Sequence, residues 1–130
     1  MKIFVCYHKK YPLCTSDVLS PIHVGKARAK TNLSIIGDDT GDNISLKNPY
    51  YCELTATYWI WKNFKDDIVG LSHYRRYFNF KNDHTKIDKI KLDFADWSGN
   101  NQKTIRPLLK QYDIILPKQE IISKNNTLQP

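Results

Sequence analysis

The sequence predicts a single α/β domain built on a mainly parallel sheet. Short apolar runs occur at residues 2–7, 67–72 and 112–117, and each is rich in residues that favour strands. Helical signals lie between these runs, and an alternation of short strands with helices is typical of parallel α/β folds. The length of 130 residues fits one domain, 1–130, with a core of its own.

The clearest helical signal lies over residues 48–63. An N-cap type of residue followed by proline opens this segment. Leu54, Tyr58 and Trp61 then recur at helical spacing, which predicts that they form the buried face of a helix. Trp59 and Trp61 are expected mainly in the core, because their large apolar area favours burial.

The other segments are more polar. Residues 8–34 and 37–43 are predicted to be mainly loop, because prolines interrupt the first and turn-forming residues fill the second. Residues 79–104 show a weak pattern, and a short helix is expected over 105–111. The polar residues 118–130 look like the beginning of an unfinished segment.

Composition excludes several classes of protein. No apolar run approaches the roughly 20 residues that span a bilayer, and the first run is too short for a secretory signal. We therefore expect a cytoplasmic protein. The three cysteines form no Cys-x-x-Cys pair, and the four histidines lack zinc-finger spacing, which predicts free thiols without structural zinc. Cys6 and Cys52 stand in apolar contexts and are expected in the core.

The net charge of +7 is spread over both halves of the chain. An excess of lysine and arginine favours an anionic partner, such as a nucleotide, a phosphorylated lipid, a membrane surface or RNA. The alternative is a basic surface that binds no ligand.

Cationic side chains follow the predicted strands. Ligands of parallel sheets bind at the carboxyl ends of the strands, and His8, Lys9 and residues 73–76 stand at two such ends. Guanidinium groups bind phosphate oxygens bidentately, and a tyrosine ring can stack on a base. This edge therefore predicts a diphosphate site. The alternative is that the arginines pair with Asp66 or Asp67.

Four carboxylates and one lysine elsewhere in the sequence are candidates for catalytic, metal-binding or phosphate-binding roles. Asp38, Asp39 and Asp42 can ligate Mg²⁺ or Mn²⁺ or supply a general base, although their spacing is not that of an EF-hand and turn composition explains them equally. Glu53 needs a partner if buried, and is otherwise an ordinary first-turn acid. Lys26 follows a glycine without the rest of a phosphate-loop motif, so it is either a phosphate contact or a solvated lysine.

Several long blocks of the sequence resemble a known bacterial family. The family comprises proteins of capsular, exopolysaccharide and O-antigen biosynthesis that share a domain of unknown function. The matching blocks appear in the same order and cover most of residues 2–78, with a later strand matched as well. They lie at residues 3–9, 21–27, 39–45, 51–63, 70–78 and 112–117.

The resemblance implies a glycosyltransferase with a GT-A-like nucleotide-binding fold. Some members transfer galactofuranose from a UDP-sugar, so the implied acceptor is a growing surface polysaccharide, free or lipid-linked. The even spread of charge argues against a nucleic acid partner, and the expected location is the cytoplasm, with peripheral association at the inner face of the plasma membrane. The resemblance carries over a set of candidate site residues without assigning a role to each. Of these, we expect Asp42 or Glu53 to be catalytic. The expected donor-binding residues are His8, Lys9, Lys26, Asn43, His73, Tyr74, Arg75 and Arg76.

Two departures from the family pattern shape the expected chemistry. The family domain is longer than this chain, which is therefore expected to be its N-terminal, donor-binding part. GT-A enzymes usually hold a metal with Asp-x-Asp, and this chain has no such triplet. We therefore expect no divalent metal or other cofactor, with Arg75, Arg76 and His73 stabilising the leaving UDP. Two other hypotheses are a non-catalytic basic module for RNA or anionic lipid, and an inactive truncated remnant.

Overall fold

The computed structural model describes residues 1–78, 80 and 94–117, with the backbone alone for 94–100. In this part of the chain three parallel strands form one sheet in the order β2-β1-β3. In the central strand, Val5 lies opposite Pro21 on one side and Ser72 on the other. The predicted α/β class with a parallel sheet is confirmed. The strands are β1 (Lys2–Tyr7), β2 (Leu19–His23) and β3 (Val69–His73).

Among the described residues, two short 3₁₀ turns and three α-helices accompany the sheet. The turns cover Lys26–Arg28 and Ser45–Lys47, and the helices are α1 (Asn48–Tyr51), α2 (Leu54–Asn63) and α3 (Phe94–Leu108). The helix predicted over 48–63 is thus interrupted. Cys52 has a positive φ of 48°, which no helix accommodates. Cys52 is therefore exposed at the break, and its expected place in the core is wrong, whereas Cys6 is buried as expected.

The central strand is buried on both faces, as a parallel strand requires. Val5 and Tyr7 belong to one apolar cluster, which Ile105 of α3 joins. Phe4 and Cys6 belong to a second cluster, which α2 covers. Two covered faces explain why β1 reads as a continuous apolar run in the sequence.

Strand β2 lies inside the segment that was predicted to be mainly loop. Its Pro21 lacks a backbone donor, and a strand at the side of a sheet tolerates this loss better than a central one. A neighbouring segment partly covers β2. The backbone N–H of His23 donates to the carbonyl of Ile36 (2.8 Å), and the N–H of Asp38 donates to the carbonyl of His23 (3.1 Å).

The buried face of α2 is not the predicted one. Leu54 and Trp61 are 58% and 70% exposed, whereas Ala56, Trp59 and Ile60 are buried against the sheet. The expected burial is therefore confirmed for Trp59 and wrong for Trp61. One reason is polar: the indole N–H of Trp59 donates to the carbonyl of Thr40 at 2.9 Å, so this face is held to the preceding loop.

The remaining differences lie at the ends of elements. Strand β3 begins two residues later than predicted, and α3 begins well before the predicted 105–111. Residues 112–117 are not a strand, and Ile114 and Leu116 are 67% and 69% exposed. An apolar run pairs only where a neighbouring strand offers hydrogen bonds. The expectations for residues 81–93 and 118–130 lie outside the described residues.

Candidate functional site

The strand order predicts a ligand-binding crevice outside the carboxyl ends of β1 and β3. From β1 the chain continues to β2 on one side and then crosses to β3 on the other. Where the strand order reverses in this way, open α/β sheets bind ligands outside the carboxyl ends of the strands. His8 follows β1 and His73 ends β3, and their ring centroids are 6.2 Å apart. We call the space that they flank the switch-point crevice.

One hydrogen bond of His73 determines which ring nitrogen carries the proton in its neutral form. Its Nδ1 accepts the backbone N–H of Arg75 at 3.2 Å, so the neutral ring carries its proton on Nε2. That nitrogen lies 3.7 Å from Oε1 of Glu53, too far for a hydrogen bond. Burial lowers the pKa of His73, with Glu53 opposing the shift and Arg75 adding to it. At neutral pH the ring is therefore uncharged, and its one N–H is on Nε2.

The two candidate catalytic carboxylates lie in different places. Glu53 stands just before α2 and reaches His73 at the switch-point crevice. Asp42 accepts the hydroxyl of Tyr58 at 2.9 Å and faces Nζ of Lys62 at 3.7 Å. At about 1.5 Å of rise per helical residue, these partners lie about 8 and 14 Å along α2 from Glu53. The fold brings Glu53 to the crevice and holds Asp42 along the helix.

Arg75 and Arg76 leave β3 in a tight turn and are exposed. The backbone N–H of Arg76 donates to the carbonyl of His73 at 2.7 Å, which closes the turn. In the ranges that the structure describes, no carboxylate forms an ion pair with either arginine. Asp66 instead binds the amino terminus of Met1 at 2.9 Å. Within the described residues neither guanidinium group has a carboxylate partner, and that of Arg75 lies 5.3 Å from the ring centroid of Tyr74.

Tyr74 lies under the crevice rather than on its surface. Its side chain is 1% exposed, and its ring stacks on Tyr7 with centroids 5.4 Å apart. The ring also packs edge-on against His8 at 5.4 Å. Its large apolar area favours this burial. Tyr74 supports the position of His8, and in this arrangement its ring is out of reach of a nucleotide base.

Asp38 organises the turn after β2 and is fully buried. Its carboxylate accepts the backbone N–H groups of Gly25 (2.8 Å) and Lys26 (3.1 Å) and the hydroxyls of Ser45 and Thr55. These donors occupy both oxygens, so the carboxylate is structural. The sequence showed Asp38 as one member of an acidic cluster, and nothing in the spacing distinguished it.

Two further predicted residues, Lys26 and Asn43, interact with residues of the loops around them. Nζ of Lys26 lies 3.8 Å from Oδ1 of Asp39. Asn43 donates to the carbonyl of Gly41 at 2.9 Å and accepts the N–H of Ser45. Among residues 1–78, 80 and 94–117, no three His, Cys, Asp or Glu side chains are grouped as metal ligands would be. Independence from a metal stays a prediction.

A cavity of about 580 Å³ opens beside the end of β1. It shares His8 and Lys9 with the predicted site and adds residues that the sequence did not single out. The signal for this cavity in the sequence was the pair Lys9 and Lys10, which follows the first strand after His8. The lining residues are His8, Lys9, Lys10, Ala29, Lys30 and Thr31. We call this cavity the lysine pocket.

The fold and the cationic crevice define an α/β protein with a candidate site for an anionic ligand. The chain belongs to the family described as "Domain of unknown function (DUF4422)", which it matches over residues 2–129. The family resemblance seen in the sequence is thereby confirmed. No curated protein matches the chain.

A solved structure extends the comparison. The chain is similar to the apo structure of the bifunctional glycosyltransferase WbbM, with 50% sequence identity and a TM-score of 0.61. The match covers 65% of this chain and 15% of that one, so this chain spans a small part of that protein. The likeness is consistent with the expected GT-A-like fold. Within the described residues, no helix combines the length and the apolar character needed to cross a bilayer.

Proposed function

We propose that this chain is the donor-binding part of a glycosyltransferase that uses a UDP-sugar. The observation that carries the proposal is the pair of arginines beside His73, at the reversal of strand order, for which the described part of the chain offers no carboxylate partner. Guanidinium groups suit a diphosphate, because they bind its oxygens bidentately. The likeness to a glycosyltransferase at 50% identity supports the reaction class.

The proposed reaction uses the crevice residues in distinct roles. The acceptor hydroxyl attacks the anomeric carbon, and the bond from that carbon to the β-phosphate oxygen breaks with its electrons leaving on UDP. Arg75 and Arg76 stabilise the charge that develops on the diphosphate, and His73 donates its Nε2 proton as a hydrogen bond. Glu53 takes the proton of the acceptor hydroxyl. We assign this role to Glu53 rather than Asp42, because Glu53 lies at the crevice.

The finer parts of the proposal come from the family resemblance. They are galactofuranose as the transferred sugar, an O-antigen, capsular or exopolysaccharide acceptor that is free or lipid-linked, and a cytoplasmic location at the inner face of the membrane. His8, Lys9, Lys26 and Asn43 are proposed as further donor contacts.

Calorimetric titration with UDP tests the donor site. Hydrogen bonds to charged groups contribute about 1.5–3 kcal/mol each, so Arg75→Ala/Arg76→Ala is expected to weaken UDP binding by about a hundredfold or more. Lys47→Ala/Lys65→Ala is the matched control, because it removes two exposed positive charges outside the crevice. Equal affinity of wild type and the arginine variant would remove this assignment.

A further inference from the structure

The lysine pocket concentrates positive charge without a matching carboxylate. Lys9, Lys10 and Lys30 all line it and are all exposed. In the part of the chain that the structure describes, none of the three forms an ion pair, and no acidic residue lines the cavity. Like charges held around one cavity repel each other, so an anion bound there would relieve an unfavourable field.

The chemistry of the lining suits the oxygens of phosphate groups. Each lysine ammonium is a compact charge with three donors, which suits the oxygens of phosphate groups, and Thr31 adds a hydroxyl donor. A volume of about 580 Å³ exceeds that of a single phosphate ion and falls within the range of small-molecule sites. The pocket therefore fits a phosphate group together with the molecule that carries it.

The lysine pocket adjoins the proposed donor site and shares His8 and Lys9 with it, whereas Lys10, Lys30 and Thr31 are not among the proposed donor contacts. Arg75 and Arg76 do not line the pocket, whereas His8 belongs to its wall and lies 6.2 Å from His73 across the crevice. A sugar nucleotide carries one diphosphate, and the proposed function assigns that diphosphate to Arg75 and Arg76. Two adjacent cationic clusters therefore suit two separate anionic groups.

We propose that the lysine pocket is a second anion site, which binds a phosphate-bearing ligand other than the donor. That the pocket adjoins the donor rests on the proposed function, whereas the affinity of the pocket for phosphate does not. The same chemistry is offered by a sugar phosphate, as part of an acceptor, and by free diphosphate.

Inorganic pyrophosphate, titrated into protein saturated with UDP, is the direct probe. We expect pyrophosphate to bind the UDP-loaded protein and Lys10→Ser/Lys30→Ser to weaken this binding at least about tenfold, while UDP affinity stays within about twofold. Lys47→Ser/Lys65→Ser, with the same change in net charge, should retain both affinities. Glucose 1-phosphate replaces pyrophosphate in a second arm, and tighter binding of the sugar phosphate identifies an acceptor-type ligand.

Two results would overturn the second site. If UDP displaces pyrophosphate and the lysine variant loses UDP binding as well, the pocket is part of the donor site. If the control variant loses as much pyrophosphate affinity as the lysine variant, the binding is general charge attraction. Should UDP fail to bind at all, the donor proposal fails, and the pyrophosphate titrations of the two variants still decide the fate of the pocket.

Discussion

Asp38 is a carboxylate with no exposed surface that lies among four donors from three parts of the chain. It joins the backbone of Gly25 and Lys26, after β2, to Ser45 and to Thr55 in the first turn of α2. A buried charge is costly unless such donors surround it. Asp42 lies four residues further on and is exposed, so spacing in the sequence did not reveal which acid is structural.

Replacing Asp38 with asparagine should destabilise the fold by about 2–3 kcal/mol, because the amide nitrogen would face donors that lose a charged acceptor. Urea unfolding of the variant measures this change. Asp39→Asn is the control, since its ion pair with Lys26 is partly exposed and spans 3.8 Å, and the expected loss is below about 1 kcal/mol. Equal losses in the two variants would contradict the structural role of Asp38.

At the scale of elements, burial decided which predictions held. The apolar run of β1 was recognisable because this central strand is buried on both faces. The run of β3 was recognisable from its composition, although β3 lies at one edge of the described sheet and is only partly buried, whereas Pro21 disguised β2 at the other edge. The run at 112–117 has the same composition and no pairing, so composition alone did not separate it from a strand. Local pattern favours a type of element, and whether the element forms depends on partners that lie elsewhere in the chain.

The candidate site followed the same rule. The strand-end positions of His8 and of residues 73–76 were predictable, because parallel strands bring their carboxyl ends to one edge. The place of Lys30 beside Lys10 was not predictable, because it depends on the turn after β2, and the sequence did not predict that strand. The contact of Glu53 with His73 likewise depends on where α2 begins.

Helix α2 offers a direct test of the face that the fold buries. Trp59→Ala should cost about 3–5 kcal/mol, because a buried indole leaves a cavity and an unpaired carbonyl at Thr40. Trp61→Ala should cost less than about 1 kcal/mol, since that ring is exposed and loses mainly the ammonium of Lys62, 4.0 Å from its centroid. Thermal or urea unfolding of both variants measures the difference. The reverse ranking would place the sequence-predicted face in the core.

At the scale of the whole molecule, two histidines make stability depend on pH. Burial lowers the pKa of His23, with Asp38 opposing the shift, and its Nδ1 has no hydrogen-bond partner among the described residues. Burial also lowers the pKa of His73. Below pH 6.5 the unfolded chain therefore binds more protons than the folded one.

The free energy of unfolding should consequently rise with pH from the folded pKa values up to 6.5 and level off above it. Urea unfolding at a series of pH values measures the slope, and His23→Gln should reduce it. Asp66 affects the free energy of unfolding in a separate, more acidic pH range, because its hydrogen bond to the amino terminus lowers its pKa below 3.8. A slope that is the same in wild type and His23→Gln would show that His23 is not buried in its neutral form.

The shared bonds of Asp38 have a consequence for ligand binding. The turn that carries Lys26 and the helix that begins just after Glu53 are fastened to one carboxylate, so their separation is set in the free protein. A ligand that enters this edge meets side chains whose backbones are already ordered. Little conformational entropy then remains to be lost on association, and this part of the edge is preorganised.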